Sequence, residues 1–237
     1  MNACHKYVLL ICISTLISVG GVAQKYKSKN LPDFDRRRYH FGFTLGLNSA
    51  NMELQRSGPA NPNDSLLVIS VDPQSGFNLG IVTSFNFNEF LKLRFIPSIS
   101  FAQRNIEYDY NLVTIGHRQI IKPVESTYID LPLLVKFKSA RLNNFAAYII
   151  TGGKYSIDLV SDENVNNDKV PDEEVVIKLK RQTYSYEIGV GTDFYLEYFK
   201  FGIEAKMSYT IGDVLIQDNT TFSSPLEKLK PRIFLLS

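Results

Sequence analysis

Residues 39–48, YHFGFTLGLN, alternate strictly between large apolar side chains and small or polar ones. The odd positions carry Tyr, Phe, Phe, Leu and Leu, whereas the even positions carry His, Gly, Thr, Gly and Asn. Because successive side chains of a β-strand point to opposite faces, this period of two predicts a strand with one apolar face. The segment before it, Leu31–Arg38, is polar and rich in arginine and aspartate, so the strand begins abruptly at Tyr39.

The same period recurs through most of the chain after residue 39, and no window keeps a convincing helical period. Aromatic residues, which favour strands, are plentiful, with 16 Phe and 13 Tyr. The pattern predicts eight strands: Tyr39–Met52, Gly76–Phe87, Leu91–Tyr108, Val124–Lys138, Phe145–Leu159, Thr183–Phe194, Phe199–Gly212 and Pro231–Ser237.

The predicted connections between these strands alternate in length. The long polar ones are Glu53–Ser75, Asp109–Pro123, Val160–Gln182 and Asp213–Lys230. The short ones are Asn86–Glu89, Arg141–Asn144 and Glu197–Tyr198. This alternation is typical of an antiparallel meander that has all its long loops at one end.

Periodicity leaves open which way the apolar face points. It would point inward in a soluble sandwich or carrier barrel and outward, toward lipid, in an outer-membrane barrel. The polar faces are rich in Gly, Ser, Thr and Asn, which suit the narrow interior of an eight-stranded barrel. The pattern therefore favours an all-β fold, an eight-stranded antiparallel up-and-down transmembrane β-barrel, over the soluble alternative.

Aromatic residues near the short turns support this choice, because membrane barrels carry aromatic girdles at the bilayer interface. The predicted girdle consists of Phe85, Phe87, Phe90, Phe145, Tyr148, Phe194, Tyr195, Tyr198 and Phe199.

In such a barrel the charged residues of the polar faces lie in the lumen. Buried charges need partners, so we expect a mutually neutralising network rather than a water-filled channel. A polar path or docking site is the alternative interpretation. The predicted lumen charges are Lys92, Arg94, Asp130, Lys136, Lys138, Lys154, Glu187, Asp193, Glu204 and Lys206.

The first 23 residues have the features of a secretory signal peptide: Lys6, a short apolar stretch and small residues before Gln24. Both cysteines, Cys4 and Cys12, lie inside it, so the mature chain is expected to have no disulfide. We therefore expect a signal peptide (1–23), a periplasmic lead-in (24–38) and the barrel (39–237). With an even number of strands, both ends of the mature chain lie in the periplasm and the long loops are extracellular.

The sequence gives little support for catalysis or for a cofactor. The net charge is only +2, which provides no electrostatic argument for nucleic acid. The mature chain has two histidines, His40 and His117, and nothing selects a serine beside either. Residues 151–154, TGGK, lack the first glycine of a phosphate-binding loop.

One predicted loop resembles a calcium-binding loop. Asp162, Asn164, Asn166 and Glu173 nearly fit the spacing at which oxygen ligands surround Ca²⁺, although Asn167 replaces the usual glycine. A solvated acidic loop is the simpler interpretation of the same residues.

Several stretches resemble the PorT family of Bacteroidetes outer-membrane barrels: LPDFDRRRYHFGFTLGLN (31–48), SGFNLGIVTSFNFNEFLKLRFIPSISF (75–101), VESTYIDLPLLVKFKSARLNNFAAYIITGGKYSIDL (124–159) and YSYEIGVGTDFYLEYFKFGIEAKMS (184–208). The resemblance covers most of Leu31–Leu236. It differs in one respect, because such barrels usually end in an aromatic residue whereas this chain ends at Ser237, after a short last strand.

This resemblance implies a non-enzymatic accessory component of the type IX secretion system, which supports protein export and, in relatives, gliding. It implies no catalytic residues. Its partners would be other secretion-system subunits and the lipid bilayer, with no nucleic acid and no small-molecule substrate. The alternatives are a general outer-membrane barrel for adhesion or envelope integrity and an outer-membrane lipid-modifying enzyme, which would need a nucleophile beside His40 or His117.

Overall fold

The computed structural model describes residues 28–57, 66–112, 116–163, 165, 171, 175–218, 220 and 222–237. These residues form one short 3-10 helix, Phe34–Arg36, and nine strands. The strands are β1 (Tyr39–Arg56), β2 (Leu66–Asn86), β3 (Leu91–Phe95), β4 (Ser98–Leu112), β5 (Gly116–Lys138), β6 (Phe145–Asp158), β7 (Gln182–Tyr195), β8 (Lys200–Ile211) and β9 (Leu226–Leu236).

The nine strands close into an antiparallel ring with eight positions. β3 and β4 do not pair with each other but share one position between β2 and β5. The other strands pair with their sequence neighbours, and β9 closes the ring by pairing with both β8 and β1. Closure gives strands partners on both sides, and a barrel in hydrocarbon needs this because unpaired amides there cost several kcal/mol each. The predicted eight-stranded antiparallel barrel is confirmed.

The apolar face of the wall points outward. Phe43, Leu133 and Ile203 are 80%, 53% and 46% exposed, whereas Lys136 and Glu187 are 2% and 4% exposed. An apolar exterior around a charged interior is the reverse of the arrangement in a soluble barrel and matches that of a barrel surrounded by lipid.

Two predicted long loops are mostly strand. β2 begins at Leu66 and β5 at Gly116, so the predictions of loops at Glu53–Ser75 and Asp109–Pro123 were wrong. The strands accommodate a proline in each of these segments, Pro73 and Pro123. The register between β2 and β4 shifts immediately after Pro73, and β5 pairs at Pro123 with β4 before its pairing with β6 begins. Both places tolerate a residue that lacks an N–H.

Two further strand predictions needed correction. The predicted strand Leu91–Tyr108 is divided at Ile96 and Pro97 into β3 and β4, since proline cannot donate to the ladder. The last strand begins at Leu226 rather than Pro231. It pairs with Leu47–Arg56 of β1, leaving the first residues of β1 paired with β2 only.

The two ends of the barrel differ, and we name them by their connections. The turn end carries the short connections 87–90, 139–144 and 196–199, and the loop end carries the connections after β1, β4, β6 and β8. Among the described residues, no helix is long and apolar enough to cross a membrane.

An apolar cluster fills the loop end, which the sequence pattern did not predict. Strand residues such as Ile106, Tyr108 and Leu229 form one side of it, and Ile177 and Leu215 from two connections form the other. These connections pair with each other, since Lys180 N donates to Val214 O and Ile216 N donates to Lys178 O. We call the segments 175–180 and 213–216 the loop-end lid.

Candidate functional site

Asp35 closes the turn end of the lumen. The 3-10 turn before β1 directs its carboxylate inward, where Lys92 and Lys138 lie 2.5 Å and 2.6 Å from its oxygens. Tyr195 donates its hydroxyl proton to the same carboxylate at 3.0 Å. Burial alone would raise the pKa of Asp35, but the hydrogen bonds and charges of Lys138 and Lys92 outweigh it and hold the pKa well below its usual range.

The segment before Asp35 is fixed to the same end of the wall. Asn30 donates to Asn144 Oδ1 at 2.9 Å and to the carbonyl of Tyr195 at 3.0 Å. Arg141 donates to the carbonyls of Asn30 and Leu31, and its guanidinium lies 3.8 Å from the centre of the Tyr195 ring. Residues 28–38 therefore form an ordered plug, which we call the base plug.

Ion pairs continue from the turn end into the middle of the lumen. Lys136 lies 2.8 Å from Asp193 and 3.3 Å from the centre of the Tyr148 ring. Arg94 lies 2.6 Å from Glu204, which also accepts a hydrogen bond from the Tyr148 hydroxyl at 2.8 Å. The predicted neutralising network is thus present from β3 across to β8.

The network extends toward the loop end through shared partners. Lys206 lies between Glu204 and Glu187, at 3.5 Å and 3.4 Å. Lys154 lies between Glu187 and Asp130, at 3.3 Å and 3.6 Å. All ten predicted lumen charges belong to this network, and each has an opposite charge beside it: Lys92, Arg94, Asp130, Lys136, Lys138, Lys154, Glu187, Asp193, Glu204 and Lys206.

The interior has little free space. A cavity lined by residues including Asn48, Lys154 and Glu187 has a volume of about 20 Å³, which is enough for a water molecule but not for a solute. Among the described residues, the base plug lies at one end of this filled interior and the loop-end lid lies at the other.

Tyr148 and Tyr195 were predicted in the interfacial girdle, and this prediction was wrong. They are 5% and 1% exposed and hold lumen charges. Their positions on β6 and β7 have the parity of the inward residues Lys154 and Asp193. Proximity to a turn was therefore a poorer guide to their orientation than strand parity.

The turn end presents exposed apolar and basic groups on its outside. Tyr198, Leu142 and Phe199 at the tips of the short turns are 88%, 61% and 57% exposed. The three arginines of the base plug, residues 36–38, are exposed as well. We call these six residues the turn-end surface.

His40, the second residue of β1, packs against the base plug. Its ring stacks on Phe34 with centroids 4.0 Å apart, and its Nε2 has no hydrogen-bond partner among the described residues. The side chain of His117 lies outside the described residues. Among the described residues, no hydroxyl group therefore hydrogen-bonds to Nε2 of His40.

The calcium-loop prediction stays untested. Asp162 is exposed, and its carbonyl accepts a hydrogen bond from Val165 N. Asn164, Asn166 and Glu173 lie outside the described residues, and so does the predicted signal peptide. Among the residues that are described, no group of three or more His, Cys, Asp or Glu side chains could hold a metal ion.

Sequence reasoning missed the inward position of Asp35. A signal for it existed in the sequence. Three predicted lumen lysines, Lys92, Lys136 and Lys138, lie at the turn end, and Asp193 is the one predicted lumen carboxylate beside them. This excess of cations pointed to an acid supplied from outside the strands. The inward position of Arg104 was also missed, although Arg104 alternates along the predicted strand with the same parity as Arg94 and Ser100.

The comparisons with known proteins give a matching family model and a similar solved structure. Residues 22–215 match the family model described as outer membrane protein beta-barrel domain. The crystal structure of the outer membrane protein OprG from Pseudomonas aeruginosa is similar at 15% identity and a TM-score of 0.42, covering 84% of this chain and 90% of that one. No curated protein matches the sequence. Because the family model spans far more than half of the sequence, the chain belongs to the outer membrane protein beta-barrel domain family and is an outer-membrane β-barrel protein.

Proposed function

We propose that this barrel is a non-enzymatic accessory component of the type IX protein secretion system. The observation that carries the proposal is the filled lumen. Ion pairs occupy its middle, and the base plug and the loop-end lid cover its ends. A barrel without a path for solutes acts through its surfaces, and the four stretches that resemble the PorT family suggest which assembly it supports.

The turn-end surface is the part of the molecule that we assign to this role. Short turns of outer-membrane barrels lie in the periplasm, so we place the base plug there. Exposed aromatic residues and arginines are the side chains that most often anchor protein interfaces. In this proposal a rigid barrel presents Tyr198, Leu142 and the arginines of the base plug to other secretion subunits.

Deletion of the gene and complementation in the same bacterium would test the proposal. We expect the deletion to abolish release of type IX cargo into the medium while the outer membrane keeps its resistance to detergents. Normal cargo release would contradict a role in secretion. Lost detergent resistance with normal release would instead support the alternative role in envelope integrity.

Complementing variants then separate the surfaces. Tyr198→Asp together with Leu142→Asp should reduce cargo release without changing the amount of folded barrel. Val68→Asp, at a 52% exposed position near the start of β2 at the loop end, is the matched control and should complement fully. Purification in detergent should recover partner subunits with the control variant and fewer with the turn-end variant.

A further inference from the structure

Arg104 differs from the predicted lumen charges in lacking an opposite charge among the described residues. Its side chain is fully buried, with 0% exposure, on the inner face of β4. Among the described residues, no carboxylate lies within 4 Å of its guanidinium, whereas Arg94 on the neighbouring β3 lies 2.6 Å from Glu204. An arginine stays protonated in proteins, and an uncompensated buried charge costs several kcal/mol.

Most neighbours of Arg104 along its strand and directly across the ladder are apolar. Ala102 and Ile106, its inward neighbours along β4, are 5% and 0% exposed. Across the ladder it lies opposite Pro73 on β2 and Val124 on β5. The layer of Arg104 therefore separates the charged middle of the lumen from the apolar cluster at the loop end.

The polar contacts of Arg104 leave donors without an acceptor. Its Nη2 donates to Ser126 Oγ and to Tyr128 Oη, both at 2.9 Å. Its Nε and Nη1 have no partner among the described residues. Since both hydroxyls accept from Arg104, each keeps its own proton to donate. The group can thus offer three N–H and two O–H donors around a positive charge.

We propose that Arg104, Ser126 and Tyr128 form a buried binding site for a monatomic anion such as chloride. A water molecule would accept these hydrogen bonds but would leave the charge uncompensated, whereas an anion satisfies both requirements. The site takes a small ion, because Arg104, Ser126 and Tyr128 are 0%, 3% and 6% exposed, which leaves no opening for a larger group. The anion stabilises the folded barrel and becomes enclosed as the barrel closes.

Chloride-dependent unfolding tests the site. The wild-type barrel would be refolded and unfolded in urea over a range of chloride, with gluconate keeping the ionic strength constant. An ion that binds only the folded state stabilises it by mass action. Raising chloride from its dissociation constant to about a hundred times that value should therefore lower the unfolding equilibrium constant about fiftyfold. A wild-type barrel that is equally stable in chloride and gluconate would overturn the proposal.

Two variants assign the effect to Arg104. Arg104→Met should fold and lose the chloride dependence, because replacing a buried charge by an apolar group of similar size is often neutral or stabilising. Arg94→Met is the matched control: it removes a lumen arginine that has a carboxylate partner, so it should lower stability but keep the chloride dependence. Chloride dependence that survives in Arg104→Met would overturn the proposal.

Bromide provides a readout that does not depend on any variant. Crystals of the wild-type barrel refolded in bromide should show an anomalous scattering peak beside the Arg104 guanidinium. A well-ordered map without a bromide peak there would overturn the assignment even if chloride changed the stability.

Discussion

Asp35 shows how one side chain can fix a segment that precedes the first strand. Its carboxylate forms ion pairs with two lysines, Lys92 and Lys138, that come from different parts of the wall. Neither lysine has another carboxylate within 4 Å among the described residues. The base plug is therefore ordered by the charges that the strands leave uncompensated.

Replacing this carboxylate should destabilise the barrel strongly. Asp35→Asn leaves two buried ammonium groups without a counter-charge, and we expect it to lower the free energy of unfolding by about 3 kcal/mol. Urea unfolding of the refolded protein in detergent would measure the loss. Asp33→Asn is the control, because Asp33 is 70% exposed at its side chain and pairs with Arg36 at 3.6 Å, so it should change stability little.

Acid should release the base plug. The pKa of Asp35 is lowered in the folded state, so its contribution to stability is present above the unfolded pKa of about 3.9 and is lost as the pH falls below it. Hydrogen exchange of residues 28–38 should therefore accelerate below about pH 4 after correction for the intrinsic rate. The Asp35→Asn variant should show no such step, and an identical step in it would refute the assignment to Asp35.

Gly191 makes room for Tyr148 to reach Glu204. A Cβ at Gly191 would lie 2.4 Å from the Tyr148 ring and 2.7 Å from the carbonyl of Ile203. Gly191→Ala should therefore cost about 1–3 kcal/mol of stability through overpacking. Gly153→Ala is the control, because a Cβ there meets nothing within 4 Å, and it should be neutral or slightly stabilising. Equal effects of the two changes would show that lumen packing is not the cause.

At the scale of elements, the alternation of side chains predicted which face each residue lies on more accurately than it predicted where the strands begin and end. The ten charges assigned to the lumen by alternation are all in the network, and Arg104 follows the same rule. Boundaries failed where a polar segment suggested a loop but the strand continued through it, as around Pro73 and Pro123. A proline ends a strand only where a neighbouring strand needs an N–H donor at that position. This depends on the assembled sheet and not on the local sequence.

The base plug and the loop-end lid could not be predicted from the same pattern. The base plug depends on contacts between residues that are more than 100 positions apart, such as Asn30 with Asn144. The loop-end lid depends on Val175, Ile177 and Leu179, whose alternation had been included in a polar loop. Alternation indicates that one face is apolar, but it does not identify the surface that the face will cover.

The loop-end lid should open independently of the wall. Ile177→Asp places a charge in the apolar cluster, where Ile177 is 7% exposed, so we expect it to expel the segment 175–180. Hydrogen exchange should then rise in 175–180 and 213–216 and stay slow in β6 and β7. The control Val160→Asp, at a 52% exposed position of the same connection, should leave both segments protected. Exchange that rises throughout the barrel would mean that the lid is part of the wall's own stability.

At the scale of the whole molecule, the central claim is the direction of the two faces. The chain has no tryptophan, so a single introduced tryptophan reports one position without background. Leu133 and Leu134 are the best pair, because these neighbours share a depth in the wall but are 53% and 0% exposed. Tyr148→Trp can replace the second variant if Leu134→Trp does not fold.

Fluorescence quenching by brominated lipids in reconstituted bilayers is the most direct test of this claim. Tryptophan fluorescence of Leu133→Trp should be quenched strongly and should peak at short wavelength, because the indole ring would contact acyl chains. Phe43→Trp should give the same result. Tryptophan at position 134 should be shielded from the bromines by the wall. Strong quenching at 134 with none at 133 would show that the apolar face points inward and would contradict the account.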